Sequence, residues 1–169
     1  RAQRGDADVA IDKAAGDLIC TLTSTMFCRA DGGFGGPSGP VKAPHPVPDT
    51  PPHLVCDLPT LPQAALIYRL SGDYNPLHAD PPTAHKAGFR MPILHGRCTF
   101  SVAGHAILKT CCGYDPARFK SMEGRFSSPV YPGETIRTEI WQDGPTVSFR
   151  ATVPARGVTV LNNGRAEIA

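Results

Sequence analysis

The sequence predicts an α+β domain in which one buried helix is wrapped by a curved antiparallel sheet. Two observations support this prediction. Residues 99–108 are apolar at helical spacing and carry almost no charge, which is typical of a helix that is buried on most of its surface. From residue 119 onward, apolar and polar residues alternate between turn signals, which indicates consecutive strands.

The individual elements follow from the same periodicities. A proline near the start of residues 61–70, followed by good helix formers, predicts a short helix. Residues 71–89 contain several prolines and are expected to be mostly loop with a short helical turn. Strands are predicted over residues 119–126, 135–141, 146–153 and 158–168.

The front of the chain has a different character. Residues 8–12 and 18–27 are predicted to be two paired strands around a turn at 14–17. Glycine and proline are dense over residues 31–52, which predicts a loop followed by a semi-rigid, extended linker. We therefore divide the chain into a front segment (1–36), a linker (37–56) and one continuous domain (57–169).

Composition excludes several classes of function. The formal charge of +2 and the absence of basic runs give no field for nucleic acid or an anionic membrane. No apolar run is long enough for a transmembrane helix, and the first residues do not resemble a secretory signal. The six cysteines form no Cys-x-x-Cys pair and no zinc-type spacing, so we expect reduced thiols, no metal site and an intracellular location. The last four residues are not a peroxisomal address, and the peroxisome and the cytoplasm both remain open.

Three ordered blocks carry a specific motif. They are Tyr68 to His78 (YRLSGDYNPLH), Ala87 to Phe100 (AGFRMPILHGRCTF) and Arg125 to Thr135 (RFSSPVYPGET). Together they resemble the MaoC-like, or hydratase 2, family of enoyl-CoA hydratases, and the resemblance runs from residue 57 to residue 169. The likeness is strongest to the hydratase 2 part of eukaryotic peroxisomal multifunctional β-oxidation enzymes.

The resemblance implies a hot-dog fold, with a long central helix from about His95 to Cys111 inside the sheet. Family members carry either two hot-dog halves in one chain or single hot dogs that pair. By this resemblance, residues 1–36 are the last strands of an incomplete first half. A lone hot dog also has an exposed sheet edge, so we expect a homodimer or pairing with another hot-dog unit.

The resemblance also implies an activity. A trans-2-enoyl-CoA thioester would gain water to give (3R)-3-hydroxyacyl-CoA, with no cofactor beyond the coenzyme A of the substrate. Asp73 and His78 would bind the water, and Asn75 would orient these two side chains. The Gly96 N–H would stabilise the enolate oxygen. Hydration requires this set of a base, an acid and an oxyanion donor.

Local sequence agrees with these roles. Pro76 prevents a regular helix between Asp73 and His78 and favours an extended Asn75, so the loop can turn both side chains towards one point. Gly96 leaves its backbone open to close approach by a thioester. The alternative is structural: Asp73 and Asn75 would cap their own turn, and His78 would be an ordinary hydrogen-bonded histidine.

Other residues of the motifs carry two interpretations each. Phe126 matches a family position near the bound thioester, or it is a core phenylalanine. Arg69 would hold a carboxylate or a phosphate of coenzyme A, or brace the structure. His95 is predicted to be a structural donor at the helix start, and His105 a hydrogen-bonded residue within the helix. The glycine run at 32–36 is predicted to be a turn, with a phosphate cradle as the alternative.

Two positions depart from the family pattern. Arg97 stands where leucine is usual, and Ser101 where glycine is common, which leaves the acyl chain length open. Two other functions compete with the hydratase: a dehydratase acting on acyl carrier protein thioesters, and a non-catalytic thioester-binding or assembly subunit. Joint retention of the four motif residues counts against the non-catalytic alternative.

Overall fold

A computed structural model describes residues 3–12, 18–28, 32–35 and 43–169. The chain divides into two compact units, Arg1–Lys42 and Ala43–Ala169. In the first unit, β1 (Gln3–Asp12) and β2 (Leu18–Cys28) pair antiparallel, so the predicted pair of strands is confirmed and β1 begins earlier than predicted. The predicted turn at 14–17 and Gly36 lie outside the described residues.

The second unit contains a five-stranded antiparallel sheet in the order β3-β5-β6-β7-β4. Its strands are β3 (Leu54–Pro59), β4 (Phe119–Phe126), β5 (Thr135–Asp143), β6 (Thr146–Val153) and β7 (Val158–Ile168). The four strands predicted after residue 118 are therefore confirmed. Two register shifts in the pairing of β4 with β7 mark irregularities of the kind that bend a strand.

The long helix α3 (Gly96–Cys111) packs against strands of this sheet. Ala103, Ala106 and Ile107 are fully buried, while residues on the opposite side of the helix, such as Ser101 and His105, are exposed. The prediction of a mostly buried central helix is thus correct for one face only.

The sheet presents its inner face as alternate residues. In β6, Val147, Phe149, Ala151 and Val153 are fully buried, and the residues between them are half-buried. The Phe149 ring lies directly over Gly164 of β7, where an added Cβ would come within 2.6 Å of three ring atoms. This close approach fixes glycine at position 164.

The proline-rich segment before β3 packs against the sheet. Trp141 Nε1 donates to the carbonyl of Thr50 at 2.8 Å, and Asn163 Nδ2 donates to the carbonyl of His45 at 2.8 Å. The segment 43–53 forms no helix or strand, and residues 37–42 of the predicted linker lie outside the described residues. However, β3 already begins at Leu54, before the predicted linker end at residue 56.

Three short elements lie between β3 and α3. They are α1 (Ala64–Leu70), a 3-10 turn (Pro76–His78) and α2 (Pro81–Lys86). Asp80 caps α2, because its Oδ2 accepts the Thr83 N–H at 3.0 Å. Across the described parts of the chain, no helix is long and apolar enough to cross a membrane.

Candidate functional site

The loop after α1 adopts the geometry that its sequence predicts. Asn75 has φ −56° and ψ 119°, the extended conformation expected before Pro76. Asp73 Oδ1 accepts the Asn75 N–H at 3.3 Å, and Asn75 Oδ1 accepts the Leu77 N–H at 3.1 Å. The self-capped turn of the structural interpretation is therefore present, and it is also what holds Asp73 and His78 in place.

His78 follows at the end of the 3-10 turn with its ring anchored to the backbone. Its Nδ1 lies 2.7 Å from the carbonyl oxygen of Ile93. Since a carbonyl only accepts, Nδ1 carries the proton and donates it, which leaves Nε2 of the neutral ring with a free lone pair. A ring fixed in this way can accept a proton from a bound water at Nε2.

His95 occupies a different position from the one expected. It precedes α3 as the N-cap residue, but its side chain makes no cap hydrogen bond. Its ring is 1% exposed and stacks between Tyr68 (centroids 4.6 Å apart) and His78 (3.7 Å). Within the described residues, neither ring nitrogen has a hydrogen-bond partner. The ring therefore packs in the stack and does not cap the helix, and its role as a structural donor stays a prediction.

Asp73 completes the cluster from the solvent side. Its Oδ2 lies 3.7 Å from His95 Nε2, and its side chain remains 46% exposed. A carboxylate oxygen of Asp73 and one ring nitrogen each of His78 and His95 all lie within 4.8 Å of one another. A water that makes hydrogen bonds of about 2.8 Å to two groups can span this separation.

The environment favours the neutral form of His95. Burial lowers the pKa of His95, and positive charge on His78 lowers it further, while the Asp73 carboxylate opposes both effects. The His95 ring therefore stays uncharged when a free imidazole would protonate, and it offers a neutral N–H.

The same three side chains are poorly arranged for a metal ion. The His78 and His95 rings are stacked with only 27° between their planes. Histidine binds a metal through the lone pair in its ring plane at about 2.0 Å, and two nearly parallel planes separated by a stacking distance do not meet at such a point. One ring would have to leave the stack before both could share an ion.

Gly96 and Phe126 form the wall beside this cluster. Gly96 is the first residue of α3, so its N–H has no partner within the helix. A Cβ at Gly96 would meet two atoms of the Phe126 ring at 3.3 Å. Phe126 itself is 58% exposed, which rules out the alternative of a core phenylalanine in this chain.

Arg69 contacts Tyr74 in the loop that follows α1. Its Nη1 donates to the Tyr74 carbonyl at 2.8 Å, and its guanidinium lies 5.5 Å from the centre of the Tyr74 ring. These contacts match the structural interpretation of Arg69. His105 Nε2 lies 3.1 Å from the Tyr114 hydroxyl, in agreement with the expected hydrogen-bonded histidine.

A half-buried ion pair that sequence reasoning missed supports the third motif block. Arg156 binds both carboxylate oxygens of Glu134 at 2.6 and 2.9 Å, and Glu134 also accepts the Tyr131 N–H at 2.8 Å. Burial alone would raise the pKa of Glu134, but these hydrogen bonds outweigh it, and the pKa is lowered. The loop fixed in this way accepts the Leu94 N–H at the Val130 carbonyl, which positions the start of α3.

An apolar pocket of about 370 Å³ runs along the partly exposed side of α3. The Phe100 ring, at its near end, lies 6.4 Å from the Phe126 ring. The lining residues come from α3, β4 and the segment between them: Phe100, Ser101, Gly104, Leu108, Pro116, Phe119 and Met122.

Comparison with known proteins places this geometry in a family. The MaoC like domain matches residues 43–163. The chain is 43% identical over 159 residues to the protein named enoyl-CoA hydratase 2, peroxisomal, from Arabidopsis thaliana, which covers 89% of this chain and 52% of the relative. It is 44% identical over 155 residues to peroxisomal multifunctional enzyme type 2 from Mus musculus, covering 90% of this chain and 21% of the relative.

Solved structures agree. The crystal structure of a MaoC-like dehydratase from Phytophthora capsici superposes with a TM-score of 0.85 at 40% identity, covering 97% of this chain and 56% of that one. The chain has the hot-dog fold and belongs to the MaoC-like domain family. It spans about half the length of the Arabidopsis relative.

Proposed function

We propose that this chain hydrates trans-2-enoyl-CoA thioesters to (3R)-3-hydroxyacyl-CoA, and catalyses the reverse dehydration, in fatty-acid metabolism. The observation that carries the proposal is that the Asp73 carboxylate, the His78 ring and the Gly96 N–H lie near one another. A carboxylate oxygen of Asp73 and a ring nitrogen of His78 lie within 4.8 Å of each other, and the nearby Gly96 N–H, at the first position of α3, has no partner within that helix. The names of relatives at 43–44% identity support the same reaction.

In this mechanism, one water is held between the Asp73 carboxylate and Nε2 of His78. Its oxygen bonds to C3 of the enoyl group as one O–H bond breaks, and the catalytic pair takes that proton. The pair then delivers a proton to C2, so the product gains the hydrogen and the hydroxyl of one water. Because both additions come from one side, they are expected on the same face.

The electrons displaced from the double bond collect on the thioester oxygen. The Gly96 N–H would bind that oxygen at the N-terminus of α3, where the helix dipole favours negative charge. Asn75 acts on the pair through its backbone, since its N–H binds Asp73 Oδ1. This chemistry requires no cofactor, because water and proton transfer supply every atom.

The acyl chain is proposed to run from Gly96 past Phe126 into the apolar pocket along α3. The pocket is lined almost entirely by apolar side chains, and its volume lies in the range of ligand sites. Ser101 lines the pocket and Arg97 stands one turn before it, so these two departures from the family pattern are expected to affect acyl length more than reaction type. We propose an intracellular site of action, peroxisomal or cytoplasmic.

We further propose that the domain pairs with a second hot-dog unit. Within the second unit, β4 is an edge strand, and Phe126 at its end is largely exposed. Exposed edges of this length tend to pair. Sedimentation should give a dimer or a complex with another unit, and a fully active monomer would contradict the pairing.

The test of the function follows hydration at the thioester absorbance and resolves the product with (3R)- and (3S)-specific dehydrogenases. The wild-type chain should form (3R) product from enoyl-CoA, and His78→Gln should remove the activity. His85→Gln is the matched control, because His85 is exposed and its Nε2 lies 2.9 Å from the carbonyl oxygen of the nearby Arg90. Activity only on acyl carrier protein thioesters would favour the dehydratase alternative, and a wild-type chain that binds but never hydrates would refute catalysis.

A further inference from the structure

The unexplained feature of the site is a buried histidine without hydrogen bonds. His95 is 1% exposed, and neither of its ring nitrogens has a partner in the described part of the chain. A buried donor or acceptor that is left unsatisfied destabilises the folded protein. A phenylalanine could make the same stack without that cost, so stacking alone does not account for an imidazole here.

The His95 ring is packed on both faces, whereas Asp73, across the gap, is partly exposed. His95 is pinned between Tyr68 and His78 at centroid distances of 4.6 and 3.7 Å. The Asp73 side chain is 46% exposed and lies at the start of the capped turn, with solvent on one side. The 3.7 Å between His95 Nε2 and Asp73 Oδ2 is too long for a hydrogen bond, and a movement of Asp73 of about 0.8 Å would close it.

We propose that His95 is a positioning residue for the catalytic pair, an inference that rests on the function proposed above. The neutral ring carries its proton on Nε2 and donates it to Asp73 when substrate covers the site. The flat face of the same ring keeps His78 in the plane set by its bond to the Ile93 carbonyl. One buried side chain thereby fixes both groups that hold the water.

The tautomer follows from the partners. An ionised carboxylate only accepts hydrogen bonds, so the nitrogen facing Asp73 must carry the hydrogen. The ionisable groups packed around the ring are Tyr68, His78 and Asp73. A proton on the second nitrogen would place a buried cation against His78, so the donor is expected to be the neutral imidazole.

Two substitutions separate the two tasks of the ring. His95→Phe keeps the stack and removes the donor, whereas His95→Gln keeps a donor and removes the ring. Because the donor acts on the pair that binds the water and not on the thioester, His95→Phe should lower kcat and leave KM close to the wild-type value. Its kcat should fall about 10–100-fold, by analogy with the loss of a residue that orients a metal-binding side chain.

The thermal midpoint distinguishes positioning from a purely structural role. His95→Phe removes two buried unsatisfied nitrogens, so it should melt at the wild-type temperature or above while turning over more slowly. His95→Gln should lower kcat through the loosened His78 ring. His105→Phe, on the exposed side of the same helix, is the control and should retain wild-type kinetics.

The decisive outcomes are separable from those for the proposed function. A His95→Phe variant with wild-type kcat, or with a raised KM in place of a lowered kcat, overturns the positioning role, as does a loss of activity that only follows a loss of folded protein. Nitrogen-15 spectra of labelled histidines test the inference without turnover: His95 should be neutral and protonated at Nε2. Protonation at Nδ1 would overturn the inference even if the wild-type chain hydrates enoyl-CoA, whereas a wild-type chain that hydrates no enoyl-CoA would overturn the proposed function and leave the tautomer result standing.

Discussion

Substitution of Gly96 by alanine should separate catalysis from folding. Gly96 has no left-handed backbone angle, and it begins α3, so alanine suits the local conformation and favours the helix by up to ~1 kcal/mol. The new methyl would lie 3.3 Å from the Phe126 ring, which must move by a few tenths of an ångström. Because that ring is 58% exposed, it can move at little cost. Stability should therefore be unchanged or slightly higher.

Activity should respond in the opposite direction. The methyl occupies the space beside the N–H that is proposed to bind the thioester oxygen. Loss of one such donor lowers kcat by roughly 10²–10³-fold. The assay is the initial rate of enoyl-CoA hydration, measured beside a thermal melt of the same preparation.

Gly124→Ala is the matched control for this prediction. Its new methyl would make only ordinary contacts, at 3.7 Å to the Phe100 and Phe149 rings. It should keep both the rate and the melting temperature. A Gly96→Ala variant that keeps the wild-type kcat, or that loses activity only by unfolding, would refute the reasoning.

Three further predictions concern stability. Glu134→Gln breaks the paired hydrogen bonds to Arg156 and should lower the free energy of unfolding by about 2 kcal/mol in a denaturant titration. An unchanged midpoint would contradict that role. Gly164→Ala drives a methyl into the fully buried Phe149 ring and should lower stability by about 1–3 kcal/mol or more, visible as a lower melting temperature. Because the pKa of His95 is below its ordinary 6.5, the unfolded chain binds the proton first, and stability should fall as the pH drops below 6.5. His95→Phe should remove this part of the pH dependence, and an identical slope in the variant would contradict it.

The strands of the second half could be predicted because their signal is local. Alternation in β6 and β7 reports which residues face the core, and the structure buries alternate residues of β6 from Val147 onward. β3 could not be predicted in the same way. Its neighbours Pro51 and Pro52 dominate the local sequence, and the strand exists through its pairing with β5, which lies about 80 residues further along the chain.

The site was predictable to a similar extent. The motif located Asp73, His78 and Gly96, and Pro76 predicted the extended Asn75. The stack of His95 on His78 was not predictable, since it joins residues from a loop and a helix start through tertiary packing. The Glu134–Arg156 pair was missed for the same reason, because neither residue carries a local signal for the other.

The most direct test of the account compares the wild-type chain with Asp73→Asn on trans-2-enoyl-CoA. The substitution preserves size and keeps an oxygen for the Asn75 N–H, so the turn should survive while the carboxylate is lost. The account predicts a folded variant whose hydration rate falls by about 10²–10⁴-fold, the range for a lost acid or base. A folded Asp73→Asn protein that hydrates at the wild-type rate would contradict it.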